Sequence, residues 1–206
     1  MNYRQIFRAL CFLLISFSSL SLAGDDLLEN IKKDWSAAKL IRFDVLIAIQ
    51  SEVFNTVDST SGNIVIAEDG RYRANIGDEL SLFDGKCIWE VSFANLQAIC
   101  QCLKEGERFE NRLIFLKDIN SYYRTASSIK GDGYLLVKNQ GIGEALPDSI
   151  NLYLDRKAGR VSFLEYYDLN SEKNTVFLHD VKLQSVVEDV IFKYVPSDSI
   201  EVITLP

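Results

Sequence analysis

The stretch DGKCIWEV, Asp84 to Val91, followed by SFANLQAICQCL, Ser92 to Leu103, decides how the rest of this sequence is read. Asp84-Gly85 is a tight-turn dipeptide. Beyond it Cys87, Trp89 and Val91 alternate with Lys86, Ile88 and Glu90. The second piece repeats the pattern, with Ala98, Cys100 and Cys102 set against Gln97, Ile99 and Gln101. Alternation with period two around turn residues predicts an antiparallel β-hairpin with one apolar face. That face covers either an ordinary core or a cavity meant for something else.

The same grammar extends in both directions. Upstream, DLLENIKKDWSAAKL (Asp26 to Leu40) spaces Leu27, Leu28, Ile31, Trp35 and Ala38 as on a helix, with Asp25 or Asp26 able to cap its start. RFDVLIAIQSEVF then switches to period two, with Phe43, Val45, Ile47 and Ile49 on one side. A polar turn is expected at DSTSGN, followed by the strands IVIAE, RYRANI, ELSLF, KCIWEV and LQAICQCL. Turn residues separate them at Asp69-Gly70, Gly77-Asp78 and Asp84-Gly85. EGERFENRLIFLKDINSYYRTASSIKG places Phe109, Leu113, Leu116 and Ile119 on a helical stripe, read as one or two short helices. Five further strands are expected at GYLLVKN, SINLYLD, RVSFLEYYD, TVFLHDVKL and DVIFKYV. The fold class that follows is mainly β with some α: one antiparallel sheet, interrupted by a helical insert. An antiparallel sheet normally keeps one face wet. Here nearly every strand has an apolar face and few helices are available to cover it, so the sheet is expected to curl into a barrel or half-barrel.

Compartment and charge narrow the possible functions. MNYRQIFRALCFLLISFSSLSLAG carries Arg4 and Arg8 ahead of an apolar run, with Ser21 and Ala23 as small residues before a cleavage point. Residues 1–23 therefore read as a secretory signal peptide, and residues 24–206 as a single exported domain, soluble after cleavage. Without Arg4 and Arg8, 20 of the 22 basic residues remain against 29 acidic ones, a net charge of −9. That balance excludes nucleic acid as a partner and disfavours electrostatic docking on anionic lipid. No stable membrane insertion is expected, and a monomer is. Three cysteines remain beyond Cys11, and an odd number leaves at least one thiol free. Cys87 can reach Cys100 or Cys102 across the hairpin. The other reading is three small buried apolar residues.

No constellation for catalysis assembles. His179, the single histidine, is a strand neighbour of Asp180, and strand neighbours point to opposite faces. No Gly-x-Ser-x-Gly elbow or phosphate-binding glycine loop is present, and GIGEAL (Gly141 to Leu146) reads as a plain loop. The reading is therefore not an enzyme, with no cofactor and no metal.

The order of elements resembles the periplasmic outer-membrane lipoprotein carrier family of the LolA type. The likeness lies in SLFDGKCIWEV and LQAICQCL, in GNIVIAEDGRYRAN with its aromatic-Arg pair Tyr72-Arg73, in DSINLYLDRKAGRVSFLEYYDLNSEKNTVFLHDVKL, and in DVIFKYVPSDSIEVI. It departs from the family pattern at Glu68-Asp69, where a basic-Pro step is usual and an arginine helps hold a lid shut. It also departs at Ala74, often tryptophan, and after Pro196, where a glycine is missing. The resemblance implies an unclosed antiparallel β-barrel with lid helices over an apolar cavity. It also implies a chaperone that takes acylated lipoproteins from an inner-membrane ABC-type release complex to an outer-membrane acceptor. Strand alternation and the resemblance together name a lipid-binding wall of Phe43, Val45, Ile47, Ile64, Ile66, Tyr72, Leu82, Trp89, Val91, Leu152 and Leu154, and a lid of Phe109, Leu113 and Leu116. The alternatives are a free lipid or glycolipid transport module and a lipoprotein-sensing regulatory domain.

Overall fold

A computed structural model describes residues 23–51, 53–104 and 113–205. The expected leader, apart from Ala23, and the expected lid residue Phe109 lie outside these residues. Helix α1 (Ala23–Ala37) is followed by β1 (Leu40–Ser51), β2 (Thr56–Ala67), β3 (Tyr72–Ile76), β4 (Glu79–Phe83), β5 (Cys87–Ser92) and β6 (Gln97–Cys102). A 3₁₀ turn at Ile114–Leu116 and a one-turn helix α2 (Ile119–Tyr122) come next. After them lie β7 (Tyr123–Ile129), β8 (Gly133–Lys138), β9 (Ser149–Asp155), β10 (Arg160–Tyr167), β11 (Lys173–Gln184), a 3₁₀ turn at Asp189–Phe192 and β12 (Glu201–Leu205). All twelve strands form one sheet in the order β12-β6-β5-β4-β3-β2-β1-β11-β10-β9-β8-β7. Only the β12–β6 pair is parallel. The sheet does not close, so the expected mainly-β, unclosed architecture is the one observed.

The inner face is the one that α1 covers. Its helical stripe of Leu28, Ile31 and Trp35 joins Ile41, Phe43 and Val45 of β1, Ile64 and Ile66 of β2, and Tyr72 of β3 in one cluster. On the other wing, Tyr134, Ile150, Leu152, Leu154, Val161, Leu164 and Leu178 complete that cluster. The adjacent tyrosine pairs divide as amphipathic aromatics should. Tyr123 is buried beside the half-buried Tyr122, and Tyr166 is half-buried beside the exposed Tyr167.

The outer face is also apolar along β2 to β6, and the chain's own C-terminal stretch covers it. Phe192 packs with Leu40, Val65 and Ala67, while Tyr194 and Ile200 pack on Leu80, Leu82, Val91 and Ala98. DVIFKYV is therefore not the expected strand. Arg73 donates to the carbonyls of Ile191 (3.3 Å) and Lys193 (3.4 Å), and Arg71 pairs with Asp189 (2.9 Å) beneath the Phe192 ring. Arg73 thus satisfies backbone carbonyls that a ladder would otherwise hold, and the strand forms later, at Glu201–Leu205.

Three other expectations change. DSTSGN makes no turn, because β2 runs through it; Gly62 faces β3 so closely that a Cβ there would lie 2.0 Å from the Asn75 carbonyl oxygen. YRTASSI belongs to β7 rather than to the helical insert, as its β-branched residues allow. The cysteine alternatives resolve into a Cys87–Cys102 disulfide directly across β5 and β6, with Cys100 free and buried. Burial, and secondarily Asp84, push the Cys100 thiol above its ordinary range.

Alkylation of an unfolded, unreduced chain spanning residues 24–206 is expected to label one cysteine, and three after reduction. Mutating Cys87 and Cys102 together to alanine is expected to cost about 3 kcal/mol in urea unfolding, the order set by the loop that the bond closes.

Candidate inner-face site

Pairing register sets which predicted wall residues meet. Phe43 opposes Ile64, Ile64 opposes Ala74, and Ile66 opposes Tyr72, so the first half of the wall lies on the inner face. Ile47 opposes Val176, half-buried at the margin of the same cluster. Leu152 and Leu154 oppose Leu164 and Val161 there as well. Leu82, Trp89 and Val91 do not join them. The two-residue turn Gly77-Asp78 pairs Ile76 with Glu79, so Tyr72 stands opposite Phe83, and Leu82 opposes Arg73 on the outer face. Trp89 follows Leu82, and its ring meets Tyr194 edge to face at 5.3 Å. The apolar face of the hairpin is thus covered from outside by the C-terminal stretch. The inner residues of β4 to β6 instead include Phe83, Ser81, Ile88, Glu90 and Ile99, with Glu79, Ser92, Gln97 and Gln101 on the same face. Across them runs a hydrogen-bonded chain in which Tyr72 Oη lies 2.8 Å from Ser81 Oγ, and Ser81 Oγ donates to Glu90 at 2.7 Å. It marks the polar margin of the apolar surface.

The cover over the inner face consists of α1 together with the Ile114–Tyr122 segment. Of the expected lid residues, Leu116 is buried in the inner cluster and Leu113 is half-buried against it. Phe115, which the helical stripe passes over, packs there too and meets the Tyr123 ring edge to face. Two buried lysines tie the cover down. Lys117 Nζ donates to the carbonyls of Trp35 (3.3 Å) and Ser36 (2.9 Å), capping the C-terminal end of α1, where a cation is favoured by the helix dipole. Burial holds the Lys117 ammonium below its usual range. Lys32 Nζ donates to Glu29 (2.8 Å) and to Thr125 on β7 (2.9 Å). An open groove of about 480 Å³ runs beside this second tie, lined by Leu28 and Glu29 of α1, residues of β7, and Tyr134. It is where the cover meets the sheet edge. No periodicity announces either lysine; a cation between the apolar residues Leu116 and Ile119 is the one local signal.

Arg71 holds no lid. It binds Asp69 (2.8 Å) and Asp189 on the outer side, while Glu68 pairs with Lys39 (3.1 Å). His179 is exposed and opposes Asp44 across β1 and β11. Among the described residues the three cysteine sulfurs lie within 4.8 Å of one another, but two of them form the disulfide.

This chain is similar, at low identity, to several solved structures. A LolA superfamily protein from Nitrosomonas europaea is 14% identical, covering 84% of this chain and 99% of its own, with a TM-score of 0.43. A DUF1329 family protein from Desulfovibrio piger is 13% identical over 84% of this chain and 96% of its own, with a TM-score of 0.47. LprF from Mycobacterium bovis is 9% identical over 79% of this chain and 94% of its own, with a TM-score of 0.41. No family model and no curated protein matches the sequence.

Replacing Lys117 by Met keeps the stem and removes the two bonds to α1. The variant is expected to lose about 1–3 kcal/mol of stability. In a Trp89→Phe background, Trp35 fluorescence should become more open to acrylamide quenching. Unchanged quenching would show that Lys117 does not hold the cover.

Proposed function

We propose that this chain is a periplasmic chaperone that shields the acyl chains of lipoproteins and carries them from the inner to the outer membrane. The observation that carries this reading is the nature of the cover over the inner face. A wide apolar sheet surface is closed by one amphipathic helix, tied by Lys32 and Lys117, and a short segment whose end Asn139 also holds, rather than by a second sheet. Lifting α1 uncovers Leu28, Ile31 and Trp35, at roughly 5–9 kcal/mol for three large side chains. One long acyl chain returns ~0.8 kcal/mol for each CH₂ buried, about 10 kcal/mol for a dozen. The exchange favours cargo, yet by a margin small enough for release. Sequestration of this kind needs no covalent step. Among the described residues no helix is long and apolar enough to cross a membrane. Val53 and Phe54 at the β1–β2 tip, and Leu169 at the neighbouring β10–β11 tip, are largely exposed and supply apolar contact for handover at a bilayer or acceptor. The motif resemblance to lipoprotein carriers supports the choice of acylated protein as cargo, with an ABC-type release complex as donor and an outer-membrane acceptor as recipient.

The test mixes mature protein with vesicles carrying a labelled triacylated lipoprotein, its release complex and ATP, and follows label into the soluble fraction. Wild type is expected to take up label. Ile47→Glu, at the margin of the inner face, should reduce uptake about tenfold while keeping the fold, and Trp89→Glu should leave it within about twofold if the variant is folded. Uptake that Trp89→Glu abolishes and Ile47→Glu spares would put the site on the wrong face. No soluble label, with native mass spectrometry showing bound lipid, would replace the lipoprotein carrier with a lipid-transport module.

A further inference from the structure

On the outer face, away from the acyl-chain surface, Lys182, Arg42 and Arg73 stand in one cross-strand row. Arg42 opposes Lys182 on β11 and Val65 on β2, and Val65 opposes Arg73 on β3. Like charges directly opposite one another destabilise a sheet, and a chain this acidic has carboxylates enough to separate them. Yet among the described residues neither Arg42 nor Lys182 makes an ion pair, while the cations Lys39, Arg71, Lys138 and Lys173 do. The row lines a groove of about 500 Å³ whose other walls are Asp44, Asn63 and Asn75 of the sheet and Val190 and Ile191 of the C-terminal stretch. Arg42 Nε is shielded from water and reaches no acceptor, so that guanidinium is partly desolvated without compensation. Arg73 is held in place by the Ile191 and Lys193 carbonyls. Asn75 Nδ2 donates to Asn63 Oδ1 (3.1 Å), which leaves the Asn63 amide nitrogen as another donor.

A β-bulge lies beside this row. Between the Arg42–Lys182 and Asp44–His179 pairs, β11 has two residues, Asp180 and Val181, where β1 has one, and Asp180 takes a left-handed φ of 48°. A bulge bends its strand and re-aims neighbouring side chains. Three cations and the single carboxylate Asp44 leave a local charge of +2, in a chain whose formal net charge is −7.

We propose that this groove is a phosphate-ester site, with Arg42, Arg73 and Lys182 neutralising the phosphate and Asn63 donating beside them. Planar guanidinium groups match phosphate oxygens in pairs, and Val190 and Ile191 accommodate the ester's carbon side. The ester can reach the groove as a soluble molecule or as a phospholipid headgroup.

The experiment follows the arginine Nε–H signals of the ¹⁵N-labelled mature protein while inorganic phosphate, and separately glycerol phosphate, is titrated to tens of millimolar at constant ionic strength. Co-sedimentation with mixed phosphatidylglycerol–phosphatidylcholine vesicles runs in parallel. Saturable shifts at Arg42 and Arg73, weakened about tenfold or more in both Arg42→Gln and Lys182→Gln, are expected. Saturation by the soluble probes assigns a soluble ester. Vesicle binding that both variants lose, without saturation by the soluble probes, assigns the headgroup. Shifts that chloride reproduces, shifts that both folded variants retain, or no response to any probe would overturn the site. None of these readouts depends on lipoprotein uptake, so the outcome stands apart from that of the carrier assay.

Discussion

The seating of the Leu28–Ile31–Trp35 stripe of α1 on the inner face is the contact on which the rest of the structure depends. A twelve-stranded open sheet exposes two faces and two edges, and water tolerates only a limited apolar area on either face. This chain has little helix with which to solve that problem. It assigns α1 and the Ile114–Tyr122 segment to the inner face, and a nearly strandless C-terminal stretch to the outer one. The outer cover is fastened by arginines to backbone carbonyls and a carboxylate, by a cation over the Phe192 ring, and by its continuation into β12. On the inner side α1 is held by Lys32 and Lys117, and the end of the Ile114–Tyr122 segment by Asn139. The asymmetry between a fastened side and a side that can lift is the physical basis of the proposed carrier function.

Much of this was legible in the residues. Alternation identified most of the strands, and the turn residues at Gly70, Gly77 and Gly85 fell where the chain takes positive φ. The helical spacing of Leu28, Ile31 and Trp35 identified the element that covers the sheet. What alternation could not supply was the relation between faces on successive strands. Tyr72 and Leu82 each sit on an apolar face, but of opposite sides, because a turn of only two residues at Gly77-Asp78 sets the parity of everything after it. Counting that turn strictly would have moved Leu82, Trp89 and Val91 to the outer face. Their apolar character invited the error, since the outer face of β4 to β6 is also buried.

The other differences arise where tertiary contacts override local pattern. DVIFKYV alternates like a strand, yet Phe192 is drawn into a cluster with Leu40 and Val65, and Arg73 takes up its carbonyls. Residues 58–63 look like a turn by composition, but β1 supplies partners along their whole length. Lys117 and Lys32 are invisible to hydropathy because a buried lysine acquires meaning only from the acceptors around it. The cationic row on the outer face belongs to the same class: Arg42, Arg73 and Lys182 are scattered in sequence and adjacent only through register.

Hydrogen exchange with and without a triacylated lipopeptide tests the central claim most directly. The account predicts that binding removes protection from amides of α1, Ala23–Ala37, and of the Ile114–Tyr122 segment, while residues 187–200 on the outer face keep theirs. Protection that stays unchanged on α1 while the lipopeptide is bound, or that falls only on the outer face, would contradict it.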